Sequence, residues 1–424
     1  MPIKCFWPQS VSFSFYLIAL NDLVYNSLNK QNSEMPSEIK ITKIEIVKIE
    51  YGLEDVEADP TIGIPIYKPG SLLKRTADIL RIHTNEGLIG EYTGGPSIEY
   101  AGIPIIAPYL TGRNPLEREQ IFNDAKQSLR QNARMGLGAI DIALWDLAGK
   151  YYEAPLYELL GGTKKKLPCY ASTFIGDHNE GGLNTAEAYA EFAQDCLNMG
   201  YPAFKIHGWQ DATIQKQIDV VHAVGNQVGG KMDLMLDPFC AINTFGEALK
   251  IGWACDEHKY FWLEDPFKDG GVSAHAHRKL RQLIKTPLLQ LEHIRGLESH
   301  VDFIVNEATD FVRADPDYDG GVTGVMKIAH AAEGFGLDVE LHSPGPVRRH
   351  LMASIRNTNY YEMGLLHPKV RAFHPEIYKN GYSDELDSID QNGFVDVPDG
   401  HGLGVEYDWD FIDDNTIDKI TFTN

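Results

Sequence analysis

The runs LDP (236–238), YFWLEDP (260–266), TPLLQLEH (286–293), DFVRADP (310–316) and LDVELHSPG (337–345) share one pattern, a short apolar stretch ending in a carboxylate or imidazole at a turn. The same texture precedes them in LPCYAST (167–173) and AFKIHG (203–208) and recurs more weakly in TNYYEMG (358–364). Short apolar runs bounded by Pro, Gly and Asp read as buried strands, and the stretches between them are amphipathic. Eight such units, roughly 20–30 residues apart, fit a parallel barrel of βα units of about 250 residues. The last polar residues of the runs are Lys205 and His207, Asp237, Glu264, Glu292, Asp315, His342 and Glu362. A parallel barrel carries such residues on its C-terminal rim, where active sites are built. Desolvated carboxylates are costly unless paired or metal-bound, so a purely structural role does not account for the series.

On the N-terminal side, IKITKIEIVKIEYG, ADILRIHT and GLIGEYTGG alternate as strands do, with Asn85-Glu86-Gly87 as a tight link, and form a small antiparallel sheet. A long helical region is expected from about Pro115 to Leu160, ended by Gly161-Gly162. Residues 1–38 read as an unstructured leader or a mis-called start. The apolar stretch Val11 to Leu20 is too short to span a bilayer, and Met35 opens a natural-looking start.

With Lys+Arg 38 against Asp+Glu 60, the net charge of −22 repels nucleic acid and anionic membranes. Five widely spaced cysteines without a CxxC pair argue against a disulfide framework and suit a cytoplasmic setting. No strand is followed by GxGxxG, which excludes a nicotinamide oxidoreductase. Asp237, Glu264 and Glu292 end three neighbouring strands, and an all-oxygen set suits Mg²⁺ rather than zinc. The HxH pair His275 and His277 lies in a helical stretch and reads as surface.

In order and at their spacings, AIDIALWDLAGK (139–150), PLYELLGG (155–162), Lys205-Ile206-His207, LDP, LEDP (263–266), QLE (290–292), RADPDYDGGVTG (313–324) and ELHSPG (340–345) resemble the enolase superfamily. Within it, they resemble the mandelate racemase branch that contains the acid-sugar dehydratases, over nearly everything from Ile39 to about Asp410. The resemblance implies an α/β protein, a modified (β/α)7β TIM barrel with an N-terminal α+β capping domain. Residues 39–163 would form the cap, 164–375 the catalytic barrel and 376–424 a segment completing the cap. It also implies Mg²⁺ on Asp237, Glu264 and Glu292, a His342–Asp315 dyad as base and orienting partner, and Glu362 as a hydrogen-bond partner of the substrate carboxylate. Where racemising members carry Lys-x-Lys, this chain has Lys205-Ile206-His207, which removes the second lysine of a two-base pair. Lys205 is then expected to contact the substrate carboxylate or a metal-side oxygen, and His207 to act as base or acid or merely to bind substrate.

Specificity is expected from a loop spanning Glu54 to Ser71, with Tyr67 and Lys68 as substrate contacts, and from His293, Arg348, Arg349 and His350 around the barrel mouth. That polar lining suits a polyhydroxy acid. The expected function is Mg²⁺-dependent dehydration of an aldonate or aldarate to a 2-keto-3-deoxy acid. The alternative is an isomerase working through the same enediolate: a cycloisomerase of an anhydro-sugar acid or lactone, or an epimerase or racemase. The expected partner is a small-molecule sugar acid, in a homo-oligomer. Glu264→Gln is expected to spare the fold, on the reading that Glu264 sits on the rim.

Overall fold

Strands β1 (Ile41–Ala58), β2 (Pro65–Thr84) and β3 (Ile89–Thr93) come first, followed by β4 (Lys166–Thr173), β5 (Ala203–His207), β6 (Asp233–Asp237) and β7 (Trp262–Glu264). Then come β8 (Leu288–Gln290), β9 (Phe311–Ala314), β10 (Asp338–Leu341), β11 (Tyr361–Leu366), β12 (Phe394–Asp396) and β13 (Thr416–Thr423). The computed structural model describes residues 38–371 and 373–423, and Lys40–Asn424 form one unit. The expected leader and its apolar stretch therefore lie outside the described residues, apart from Glu38.

The first sheet is antiparallel in the order β13-β1-β2-β3, so the last strand of the chain pairs with the first. Its inner face shares a core of Val47, Ile49 and Ile79 with Ile377, Tyr407 and Ile412. Glu45 of β1 is buried, and Lys419 of β13 (2.9 Å), Lys43 (3.1 Å) and His83 (2.6 Å) reach its carboxylate.

One local expectation is corrected and one is refined. The stretch from Glu54 to Ser71 is a hairpin, in which Val56 pairs with Tyr67, Glu57 with Ile66 and Ala58 with Pro65, so β1 and β2 continue through it, with a bulge where residues 68–71 lie opposite Asp55. Only residues 59–64 turn, with the Asp59 carboxylate accepting the amides of Thr61 and Ile62. The helical region beyond Pro115 is several helices, Arg118–Ser128, Leu137–Tyr151 and Leu156–Leu159 among them. Ala133 (φ 50°), Arg134 (φ 63°) and Gly136 (φ 93°) break it, since left-handed residues cannot continue a right-handed helix.

The second sheet is parallel in the order β10-β9-β8-β7-β6-β5-β4-β11, with β12 antiparallel beside β4, and helices connect its strands. The segment after residue 375 thus serves both sheets. Between β10 and β11 the seam is bridged by the buried Glu340 side chain, which accepts the backbone amides of Asn359 (3.0 Å) and Tyr360 (3.2 Å). Tyr170, Ala203, Met235, Trp262 and Leu289 fill one layer of the barrel interior. Among the described residues, no helix is long and apolar enough to cross a membrane.

Candidate active site

Period-two alternation puts Lys205 and His207 on one face of β5, and Arg313 points the same way as Asp315 just past β9. Parallel register sets His207 beside Asp237 on β6. Just past the strand ends the chain turns through left-handed non-glycine residues: Phe239 (φ 56°), Cys240 (φ 55°), Asp265 (φ 29°), Leu291 (φ 99°) and Ser343 (φ 66°). Such strain gathers where a scaffold holds side chains in a working geometry.

Lys205 is 1% exposed, with Nζ 3.0 Å from Glu264 Oε2, 2.9 Å from Glu362 Oε1 and 3.8 Å from Asp237 Oδ2. Burial opposes its charge, but Glu264 and Glu362 outweigh that and raise its pKa well above the lysine range. It is therefore a fixed ammonium and not a base. Arg313, wholly buried, donates from Nε to Glu264 Oε1 at 2.7 Å and from Nη1 to the Tyr170 hydroxyl at 3.3 Å. Glu362 also accepts the amide of Ser343 at 2.9 Å. Burial pushes the Glu362 carboxyl up, while Lys205, Arg313 and His342 together hold it well below the usual carboxylate range. Glu264 is wholly buried between Lys205 and Arg313, so it belongs to the barrel interior and not to an exposed rim.

Asp237, Glu264 and Glu292 each bring one oxygen within 4.8 Å of the others. Four carboxylates, those of Asp237, Glu264, Glu292 and Glu362, outnumber the two fixed cations Lys205 and Arg313, which leaves a surplus of negative charge beside Asp265. Both oxygens of Asp265 are buried without a hydrogen-bond partner. Burial, together with Glu292, Glu264 and Asp237, raises the Asp265 pKa well above the carboxylate range. An all-oxygen donor set with excess anionic charge fits a hard divalent cation.

The His207 ring is clamped. Nδ1 donates to the Thr173 carbonyl at 2.6 Å, and Nε2 lies 3.1 Å from Asp237 Oδ2. The ring thereby orients Asp237. Burial alone would raise the Asp237 pKa, but His207 and Lys205 bring it down to about 2.

Opposite, His342 Nδ1 donates to Asp315 Oδ2 at 2.6 Å and Nε2 lies 3.3 Å from Glu292 Oε1. Burial disfavours the charged ring, yet Glu292, Asp315 and Glu362 raise its pKa to about 9. Asp315 is lowered, because Arg348 and His342 outweigh its burial.

The structure gives Arg348 a role beyond the one expected at the barrel mouth. It is 3% exposed, and its guanidinium contacts Asp315 (2.9 Å), Asp317 (2.6 Å) and the His342 carbonyl (3.0 Å). Arg348 therefore braces the dyad while also lining the cavity beside it, helped by Tyr92 of β3, whose hydroxyl bonds Asp317. Arg349 is likewise held by Asp384 at 2.6 Å, and His350 is buried against Tyr157 with Nε2 on the Leu403 carbonyl, so neither lines the mouth. His277 is buried between Phe267 and Phe303, contrary to the surface reading, while His275 is exposed.

Tyr67 is nearly buried and stacks on His367 at 4.6 Å, and Lys68 is exposed and pairs with Glu57 at 2.5 Å. The His293 side chain is 40% exposed, 3.9 Å from both Asp265 and Glu292. A cavity of about 940 Å³ is lined by His342, Asp315 and Ser343 from the barrel and by Tyr51, Arg75 and Ser97 from the first sheet and its flank. Sequence reading missed Arg313, Asp265, Asp317 and Tyr92. An arginine inside the otherwise apolar run DFVRADP was the available signal for the first.

A family profile described as "Enolase C-terminal domain-like" matches residues 188–411, and one for the "Mandelate racemase / muconate lactonizing enzyme, N-terminal domain" matches 66–161. The chain belongs to the mandelate racemase branch of the enolase superfamily. Among solved structures, this mandelate racemase-branch chain is similar to a D-glucarate dehydratase from Agrobacterium tumefaciens complexed with magnesium. The TM-score is 0.81 at 29% identity, covering 90% of this chain and 100% of the other. It is 26% identical over 353 residues to a D-gluconate dehydratase of Thermoproteus tenax, covering 77% of this chain and 67% of the relative. A D-galactarolactone cycloisomerase of Agrobacterium fabrum is also 26% identical, over 369 residues, covering 80% and 90%.

Proposed function

We propose that the protein is a Mg²⁺-dependent acid-sugar dehydratase, with Asp237, Glu264 and Glu292 holding the ion. The observation that carries this reading is the His342–Asp315 pair set 3.3 Å from Glu292 and opening on the large cavity. When bound, Mg²⁺ supplies positive charge where negative charge grows on the substrate carboxylate as the α-proton leaves. His342 Nε2 takes that proton, while Asp315 fixes the tautomer by accepting from Nδ1. The Lys205 ammonium adds a second fixed positive charge. The protonated imidazole then returns its proton to the β-hydroxyl as the C–O bond breaks, water departs, and the resulting enol becomes a 2-keto-3-deoxy acid. His207 is turned onto Asp237 and not onto the cavity, which leaves the opposite face without a second base and favours elimination over racemisation. The first sheet, as a cap, would select the sugar acid.

The test is a library of aldonates and aldarates incubated with enzyme and Mg²⁺, with keto product detected by semicarbazide. Keto acid that disappears in Glu292→Gln supports the reading. Solvent deuterium entering the α-position without loss of water supports the cycloisomerase or epimerase reading and overturns this one. Glu292 is the better probe because Glu264→Gln breaks the buried pair with Arg313, a loss of about 3–5 kcal/mol in folding alone.

A further inference from the structure

Asp265, Glu292 and His293 make a second set of donors beside the first, one ligand atom from each lying within 4.8 Å of the others. Asp265 is 2% exposed and neither of its carboxylate oxygens has a hydrogen-bond partner. A buried, unpartnered carboxylate is expensive, and something must satisfy it. Nearby main-chain donors are already engaged: the Cys240 amide bonds the Asp265 carbonyl at 3.1 Å, and the Gly271 amide bonds Asp269 Oδ1 at 3.0 Å. His293 Nε2 stands 3.9 Å from Asp265 Oδ2 and 3.9 Å from Glu292 Oε1. That is too long for a hydrogen bond. It is a span that one ion, with bonds of ~2.0–2.2 Å to each donor, can bridge.

We propose that Asp265, Glu292 and His293 form a second divalent-cation site, sharing Glu292 with the Asp237–Glu264–Glu292 set. One imidazole nitrogen with two carboxylates selects a borderline transition ion such as Co²⁺ or Zn²⁺ over Mg²⁺, and Mn²⁺, which takes the same donors, serves as the paramagnetic probe. A carboxylate has two oxygens and can serve two ions at once, as in paired-metal sites. The exposed edge of His293 gives the site its entry from solvent. The proposal rests on these donors and is independent of which acid the enzyme consumes.

The test is Mn²⁺ titration of the metal-free full-length chain, with bound ion counted by electron paramagnetic resonance and ¹⁴N coupling read by spin-echo modulation. Wild type should bind two ions, and Asp237→Asn should keep one that carries nitrogen coupling. His293→Gln, at an exposed position that spares the fold, should keep one ion. Asp265→Asn should weaken the second ion at least tenfold. If wild type binds a single ion, its loss in His293→Gln with retention in Asp237→Asn also supports the site, and the reverse pattern overturns it. Unchanged stoichiometry and affinity in His293→Gln overturn it as well. Failure of the dehydratase reading would appear separately, as inactivity on the acid library with metal counts intact.

Discussion

Burial by itself would keep the His342 ring neutral, yet three surrounding carboxylates hold its pKa near 9 in the metal-free protein. Two consequences are measurable. A folded pKa above the ordinary 6.5 means the charged ring stabilises the metal-free fold fully below about pH 6.5, and that contribution fades as pH rises through about 9. Proton NMR titration of metal-free Asp315→Asn should find the His342 pKa lowered, since one of its anionic neighbours is gone; an unchanged value would refute the electrostatic account. In turnover, His342→Asn should abolish α-proton exchange, a loss of at least about 10²–10⁴. Asp315→Asn should retain a weak activity whose ascending limb lies at lower pH, because the nitrogen remains while its anchor is lost. Exchange in D₂O persisting in His342→Asn would move the base elsewhere. As candidates these two residues were legible in the sequence because each ends a strand at a turn, while their pairing came from the family resemblance. The bracing role of Arg348 was not legible, because what its guanidinium meets besides the cavity depends on what the helix Pro346–Ser354 packs against, and one of its partners, Tyr92, lies 256 residues away along the chain.

Alternation along β1 announced a strand, and the structure extends it further than expected, because the Pro- and Gly-rich stretch from Glu54 to Ser71 keeps cross-strand partners through Ala58 and Pro65. Composition suggested a loop where pairing makes an arm. The helical region beyond Pro115 is helical as expected, but its internal break was not legible, since Ala133 gives no compositional warning of its left-handed conformation. Glu45 shows what holds the sheet edge. Burial would raise its pKa, but Lys419, Lys43 and His83 bring it down to about 2 from 4.5. A depressed carboxylate pKa gives stability present above about pH 4.5 and lost as pH falls toward 2. In acid titrations followed by circular dichroism, Glu45→Gln should be less stable than wild type at neutral pH and should flatten the decline between those limits; parallel curves would refute the assignment.

At the level of the whole molecule, the barrel was legible because eight apolar runs recur at intervals of about one βα unit, whereas the closing seam was not, since it is bridged by the Glu340 side chain meeting two amides about twenty residues later. The partnership of β1 with β13 was equally silent, as pairing between the two ends of a chain leaves no local pattern. Deleting residues 416–424 should leave the β1 edge bare, with soluble yield falling and large species appearing in size-exclusion chromatography; a monodisperse, active truncation would contradict this. The same pairing bears on synthesis. At about 5–20 residues per second, β1 leaves the ribosome roughly 20–70 s before its partner does. For that interval its outer edge is an open template, guarded by Lys43, Glu45 and Lys48, whose charges discourage a stray strand. The buried glutamate that later locks β13 in place is thus also a sentinel while the nascent chain waits for that strand.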